Sequence, residues 1–211
     1  LTAARRNKAS VEMVDFEEAK DKIVMGLERR NIAISEEDRR LTAYHEAGHA
    51  IVGLLLDETD PLHKITIIPR GRAMGLTQQV PLDERLTYSR QYLLNRISIL
   101  MGGRAAEEVV LGTMTNGAAQ DIQDATGVAR NMVALYGMSD KFGMMALASR
   151  RNQYLEGGYG IDVAQNTAAG IDAEVQVILR KCYEDAVQVI RENQDDIEKV
   201  VTYLLEKETI T

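Results

Sequence analysis

The five residues from 45 to 49 constrain the fold of this chain more than any other segment. They are His45-Glu46-Ala47-Gly48-His49, and two histidines four positions apart project from the same face when they lie on an α-helix. The flanking residues 41–44 and 50–56 are uncharged, which predicts a helix buried in the interior. Ser35, with Asp38 three positions later, predicts the start of this helix, and we expect it to run to about Leu56.

The rest of the apolar pattern is mostly helical. Apolar side chains recur at helical spacing over four further stretches, which we expect to form helices: 87–111, 118–136, 167–191 and 195–206. Residues 64–69 are β-branched and apolar and residues 75–80 alternate, so they predict two strands joined by a turn at Arg70-Gly71-Arg72. The sequence therefore predicts a mainly α fold with one small β-sheet or hairpin.

Composition limits the classes of partner and compartment. Hydrophobic residues make up 45% of the 211 positions, which is enough for a core, and a net charge of −7 argues against a nucleic-acid surface. The single cysteine, Cys182, excludes an internal disulfide and suits a reducing compartment. No apolar run approaches the roughly 18–20 residues that span a bilayer. Because the chain begins at Leu1 rather than Met, we expect it to be a piece of a longer protein, with a membrane anchor upstream.

The spacing of the two histidines is typical of a zinc site. His45 and His49 can present two imidazoles to one Zn²⁺ from a single helical face. Glu46, next to the first of them, can take the proton of an attacking water and deliver it to the leaving nitrogen of a peptide. These residues therefore predict a zinc-dependent peptide hydrolase with Glu46 as the general base.

A catalytic zinc ion needs a third protein ligand. The extended pattern HExxHxxGxxH would supply it, but Val52 and Leu55 occupy the positions of its glycine and last histidine. Spacing alone does not choose among the remaining candidates, which are Glu58, Asp60, His63, Glu107, Glu108, Asp121 and Asp124. His63 begins a predicted strand, where a structural hydrogen bond explains it better than a metal contact.

Four motifs, in order along the chain, carry a resemblance to a known family. They are Tyr44-His45-Glu46-Ala47-Gly48-His49-Ala50, then His63-Lys64-Ile65-Thr66, Gly102-Gly103-Arg104-Ala105 and Thr115-Asn116-Gly117-Ala118, the last three with the residues that follow them. Over residues 35–206 they resemble the FtsH family, the membrane-anchored AAA proteases of bacteria, mitochondria and chloroplasts. The resemblance implies one zinc ion per subunit, Asp121 as its third ligand and a supporting role for Glu107. Asn116 and Gln120 depart from the family's usual residues without affecting that ligand.

The same resemblance divides the chain into two parts. Residues 1–33 are similar to the end of the helical lid of an AAA module, and residues 34–211 are expected to form the zinc metalloprotease domain. In the first part, Asp15 and Glu18 predict the start of a helix that runs to about Gly26. Its predicted apolar stripe consists of Phe16, Ala19, Ile23 and Val24. The phosphate-binding pattern GxxxxGK is absent, so we expect no nucleotide-binding residues here, and ATP would be used by an AAA core outside this chain.

The resemblance further implies partners and a location. It predicts unfolded or damaged membrane and cytosolic polypeptides as substrates, and a homo-hexamer as the assembly. It also predicts the bacterial inner membrane with the protease domain on the cytoplasmic side, or an organellar membrane in a eukaryote. The predicted strand residues Gly75, Leu76, Thr77 and Gln78 would pair with an extended substrate. Two alternatives stay open, a non-catalytic assembly module with a structural metal site and a small-molecule metallohydrolase.

Overall fold

The computed structural model describes residues 2–29, 33–71, 73–81, 85–150, 159–160 and 163–211. Its helices are α1 (Thr2–Arg5), α2 (Met13–Met25), α3 (Glu36–Leu55), α4 (Arg90–Ala106), α5 (Ala119–Ala134), α6 (Gln165–Glu192) and α7 (Gln194–Lys207). Its strands are β1 (Leu62–Thr66), β2 (Leu76–Gln79), β3 (Ser149–Arg150), β4 (Tyr159–Gly160) and β5 (Thr209–Ile210). The predicted mainly α fold with a small sheet is confirmed. In these ranges no helix is both long and apolar enough to cross a membrane.

The interior is aliphatic, as a chain without Trp requires. The largest fully buried apolar side chains come from β1, α3 and the four long helices after it: Ile65, Val52, Ile97, Met132, Ile171, Ile190, Ile197 and Leu204. Each such side chain contributes about 1.5–3 kcal/mol by leaving water. One core therefore joins α3 to α4, α5, α6 and α7, and it fixes the helices that carry the candidate site.

Helix α3 forms where the sequence predicts it. The Ser35 hydroxyl accepts the backbone N–H of Asp38 at 3.0 Å, and Glu36, Glu37 and Asp38 place negative charge in the first turn, where the helix dipole favours it. The stretch from Thr42 to Gly53 is buried apart from a half-buried His45, as the uncharged residues on both sides of the motif predict. The final two residues, Leu54 and Leu55, are exposed instead.

Two glycines let α3 and α4 cross in backbone contact. A Cβ atom on Gly48 would lie 2.3 Å from the carbonyl oxygen of Gly102, and one on Gly102 would lie 2.7 Å from that of Gly48. No larger residue fits either position without moving a helix. The crossing places one face of α4 directly beside the histidines of α3.

The sheet has three antiparallel strands in the order β2-β1-β5. Strands β1 and β2 form the predicted hairpin, with Ile65 opposite Thr77, and the backbones of Arg70 and Ala73 close the turn between them. Arg72 of the predicted turn lies outside the described residues. Strand β5, which the sequence did not predict, pairs with the other side of β1. Strand β2 is therefore one of the two edge strands of this sheet.

The helix predicted in the N-terminal part is α2, and it differs from the prediction in where it starts and in which side chains it buries. Helix α2 begins at Met13, and Asp15, the predicted cap, instead lies in its first turn and accepts the backbone N–H of Glu12 at 2.9 Å. The predicted apolar stripe is not buried among the described residues, because Phe16 and Ile23 are 62% and 83% exposed while Asp15 is buried. The side chain of Val24 lies outside the described residues, as do residues 30–32.

The predicted helix over residues 87–111 changes character before its end. Helix α4 continues into a π-helical turn, Glu107–Leu111, which ends at Gly112 in the left-handed conformation with φ 65°. Turns of this kind occur often at functional sites. A short 3₁₀ turn, Asn116–Ala118, then leads directly into α5. This sequence of turns brings the first residues of α5 back to α3.

Candidate metal centre

Three side chains from two helices meet at one point. His45 and His49 project from α3 and Asp121 from the first turn of α5, and one ligand atom from each lies within 4.8 Å of the others. The Nε2 atom of His45 is 3.1 Å from that of His49 and 3.1 Å from Oδ2 of Asp121, while His49 Nε2 is 3.5 Å from the same oxygen. Two imidazole nitrogens and a carboxylate oxygen are the donor set of a catalytic zinc site with one open position.

The other nitrogen of each imidazole is held by a separate acceptor. His45 donates from Nδ1 to Oε1 of Glu107 at 2.8 Å, and His49 donates from Nδ1 to the carbonyl oxygen of Ile99 at 2.7 Å. A carbonyl oxygen only accepts, so Nδ1 of His49 carries a proton, and the neutral form of this ring has its lone pair on Nε2. Such partners fix the tautomer and the ring orientation of metal-binding histidines. Both Nε2 atoms are thus directed at the same point.

Glu107 joins the two parts of the cluster. Its side chain is completely buried, and its second oxygen accepts the backbone N–H of Thr115 at 2.8 Å. Arg104 donates to the carbonyl oxygen of Thr115 at 2.5 Å. Both backbone groups of Thr115, in the loop before α5, are therefore held by hydrogen bonds. One carboxylate therefore orients His45 and also anchors the loop that leads to Asp121. Glu107 lies beside the three-residue cluster and is not part of it.

The electrostatics of the cluster favour a positive charge. Burial opposes the charged form of His45, but hydrogen bonds to Asp121 and Glu107 outweigh burial and raise the pKa of His45 to about 10. Burial alone would raise the pKa of Asp121, whereas hydrogen bonds from His45 and His49 hold it well below its usual range. A site that stabilises an imidazolium in this way suits a metal cation in its place.

Glu46 lies next to the cluster without joining it. Its side chain is buried, and burial raises its pKa, although the charges of His49 and His45 oppose that rise. The hydroxyl of Thr77, on β2, donates to Oε2 of Glu46 at 2.6 Å. Sequence reasoning missed this contact, because Thr77 was recognised only as a residue of the predicted strand.

The other candidates for the third ligand lie apart from the cluster. Three of them line the cleft beside the cluster but have other partners: Glu58 accepts the hydroxyl of Ser89 at 2.7 Å, Asp60 that of Tyr92 at 2.6 Å, and Asp124 the side-chain amide of Gln120 at 3.0 Å. Of the other two, Glu108 accepts the hydroxyl of Tyr183, and His63 is exposed on β1. Among the described residues, Asp121 is the candidate carboxylate that lies at both Nε2 atoms, whereas Glu107 contacts Nδ1 of His45.

The family follows from a comparison with known proteins. A family model described as "Peptidase family M41" matches residues 32–211, which is most of the chain. The chain belongs to peptidase family M41. The M41 domain thus contains the whole cluster, Glu46, Glu107 and the hairpin, and the matched region begins close to the boundary predicted between residues 33 and 34.

Curated relatives of the M41 domain carry consistent names. The whole chain is 49% identical to the "ATP-dependent zinc metalloprotease FtsH" of Magnetococcus marinus. It is 48% identical to the "ATP-dependent zinc metalloprotease FtsH 1" of Bdellovibrio bacteriovorus and 47% identical to the "ATP-dependent zinc metalloprotease FtsH 4" of Sorangium cellulosum. Each match covers all of this chain but 32% or 33% of the relative, so the chain spans about a third of their length. The predicted FtsH resemblance, metalloendopeptidase class and zinc cofactor are confirmed.

A cleft of about 970 Å³ opens at the cluster of the M41 domain. It lies between α3, α4, β2 and the start of α5. Among the predicted strand residues, Gly75, Leu76 and Thr77 line it, whereas Gln78 does not. Glu46 and the three clustered side chains are part of its wall.

Gly103 of α4 offers a test of how closely the M41 domain packs around His45. A Cβ atom on Gly103 would lie 2.5 Å from Cε1 of the His45 ring, which Glu107 and α3 hold in place. We expect Gly103→Ala to displace the ring and to lower zinc affinity about 10- to 100-fold. Competition with a chromophoric chelator measures the affinity.

Gly127, within α5, supplies the matched control for this change. A Cβ atom added there meets nothing within 4 Å. Gly127→Ala should therefore leave zinc affinity unchanged and stabilise the fold by about 0.5–1 kcal/mol, because alanine is the better helix former. Equal zinc affinity in the two variants would contradict the close packing of Gly103 against His45.

Proposed function

We propose that this chain is the endopeptidase domain of a longer protease and that His45, His49 and Asp121 bind one Zn²⁺ ion. The observation that carries the proposal is the convergence of these three donors on one point, with the buried carboxylate of Glu46 beside them. The donor set fits zinc, since it supplies two nitrogens and one oxygen and leaves a position free. Both histidine rings are already oriented by acceptors outside the cluster.

Glu46 is the general base of the proposed reaction. Zinc, when bound, supplies Lewis acidity that makes a water acidic and polarises the peptide carbonyl. Glu46 accepts the proton of the attacking water and passes it to the leaving nitrogen. Burial, which raises the pKa of this carboxylate, brings it closer to the working pH and so makes it a better proton acceptor and donor in turn.

The edge strand β2 is the proposed substrate-binding element. It lines the cleft beside Glu46, and among the described residues its ladder bonds go to β1 alone. An extended substrate can pair with its free backbone groups, and such pairing tolerates many side chains. Unfolded polypeptides would then be suitable substrates. Substrate peptides with N-methylated backbone amides should be cut more slowly; equal rates would rule this pairing out.

The larger assembly is proposed from the resemblance to the FtsH family and from the exposed apolar surface. An ATP-dependent protein of this family would place residues 1–33 at the end of its AAA lid and residues 34–211 in its protease domain, anchored in a membrane by a segment elsewhere. Apolar side chains that a hexamer could bury are exposed on and around α5: Met114, Ile122, Tyr136, Met144 and Met145. Light scattering at micromolar concentration tests the hexamer, and a mass near the monomer's 23.5 kDa would contradict assembly by this domain.

Removal and return of zinc test the proposed function as a whole. Treating the full-length protein with a chelator should abolish hydrolysis of unfolded casein, and stoichiometric Zn²⁺ should restore it. A non-catalytic assembly module would leave casein intact in every condition. A small-molecule metallohydrolase would also leave casein intact. As a control for the metal, Ca²⁺ or Mg²⁺ should not restore casein hydrolysis, because both prefer oxygen ligands and this site is rich in nitrogen donors.

A further inference from the structure

The carboxylate of Glu46 is held by the same strand that lines the cleft. We propose that Thr77 is a positioning residue that fixes the Glu46 carboxylate for proton transfer, and this inference rests on the proposed role of Glu46. Thr77 lies in the middle of β2, opposite Ile65 of β1, and its side chain is half-buried at the cleft wall. Its hydroxyl donates to Oε2 of Glu46 at 2.6 Å.

The Thr77 hydroxyl has one proton and two acceptors within reach. The backbone carbonyl oxygen of Glu46 lies 3.0 Å away, farther than the carboxylate oxygen. An ionised carboxylate forms the shorter and stronger bond, at about 2.5–2.7 Å for an O–H donor. The Thr77 hydroxyl therefore donates its hydrogen bond to the carboxylate of Glu46. Its oxygen also lies 3.0 Å from the backbone carbonyl oxygen of the same residue.

The described part of the chain offers this carboxylate no other hydrogen-bond donor. The residue before the strand also confines it sterically, because a Cβ atom on Gly75 would lie 2.7 Å from Oε1 of Glu46. The carboxylate is therefore enclosed by β2 and the residue that precedes it, by close approach of Gly75 and by a hydrogen bond from Thr77. A glutamate side chain has three rotatable bonds, and losing the hydroxyl would free them while leaving the space unchanged.

The arrangement links the substrate-binding strand to the general base. Strand β2 is fixed to β1 by its backbone ladder, and β1 packs against the core through the fully buried Ile65. Misplacing a catalytic group by about 1 Å can reduce a rate by about 100-fold. The hydroxyl of Thr77 thus keeps Glu46 at the distance from the paired substrate that the reaction requires.

A pair of variants separates positioning from packing. Thr77→Val keeps the shape and removes the hydroxyl, whereas Thr77→Ser keeps the hydroxyl and removes the methyl group. On the zinc-loaded, full-length protein with a quenched peptide substrate, we expect Thr77→Val to lower kcat about 10- to 100-fold with KM changed less than about twofold. Zinc content and Tm should stay near those of the unchanged protein, and Thr77→Ser should retain most of kcat.

Other outcomes overturn the inference. Unchanged kcat in Thr77→Val shows that Glu46 needs no such partner, and an equal loss in both variants assigns the effect to the methyl group. A loss of zinc or a fall in Tm that accompanies the loss of kcat in Thr77→Val makes the role structural. Glu46→Gln, measured in parallel, separates the two proposals: full activity in that variant would refute the role of Glu46 itself.

Discussion

Glu46→Gln is expected to abolish peptide hydrolysis while zinc stays bound. Glutamine has nearly the same shape, but its amide cannot accept the proton of the attacking water. General base catalysis contributes about 10²- to 10⁴-fold, so kcat should fall by at least that range. Zinc content should not change, since Glu46 lies outside the cluster of His45, His49 and Asp121. Single-turnover hydrolysis and metal analysis of the same preparation measure both quantities.

Glu58→Gln is the matched control for this variant. Glu58 lines the same cleft, accepts a hydrogen bond from Ser89 and lies outside the three-residue cluster. The same chemical change at this position should leave kcat within about twofold of the unchanged protein. If Glu46→Gln retained near-normal turnover with full zinc, the proposed role of Glu46 would be wrong.

The second large effect is the expected loss of zinc in Asp121→Ala. This change removes one of three protein donors, as His45→Ala and His49→Ala do, and catalytic zinc sites need all three. Glu107→Ala should keep much of its zinc, because Glu107 holds His45 in place without joining the cluster. The loss of such a supporting partner costs about 10- to 100-fold in affinity, and the loss of a ligand should cost more.

The control for Asp121→Ala lies one helical turn along α5. Asp124→Ala removes a carboxylate that lines the same cleft and is bonded to Gln120, so zinc content should be unaffected. Metal analysis of the purified variants gives the order of zinc loss. Full zinc in Asp121→Ala together with depletion in Glu107→Ala would reverse the two proposed roles.

The motif of α3 made most of the site's chemistry predictable. A spacing of four fixes both histidines on one face of a helix, and Glu46 must then lie beside them. Asp121 could not be reached in this way, because it is 76 residues from His45 and comes close through the π-helical turn and the 3₁₀ turn before α5. Only the resemblance to a family selected Asp121 among the seven candidates.

Other features of the site left no signal in the sequence. The acceptor for His49 is the backbone carbonyl of Ile99, which every residue type carries, and the donor to Glu46 is a threonine on an ordinary strand. Pairing across the sheet decides which strand residue faces α3. Side-chain patterns predict helices and strands, but they do not predict which backbone atoms a buried imidazole will contact.

The mistakes at the N-terminus have a related cause. Residues Asp15 and Glu18 have the spacing of a helix start, but helix α2 begins at Met13 and turns Asp15 inward. There Asp15 contacts Lys8, a residue of the preceding turn. Strand β5 is two residues long, below the length at which alternation can be recognised, and it forms because β1 offers it a partner. A capping box between Glu12 and Asp15 fixes the start of α2, and pairing with β1 fixes β5.

The position of the bound zinc ion is the most direct test of the proposed ligands His45, His49 and Asp121. Crystals of the zinc-loaded protein, measured above and below the zinc absorption edge, would give an anomalous difference peak at the metal. We predict one peak within about 2.0–2.2 Å of Nε2 of His45, Nε2 of His49 and a carboxylate oxygen of Asp121, with Glu46 unbound. A peak coordinated by Glu107 or Glu46 in place of Asp121, or no peak between the two histidines, would contradict the proposed centre.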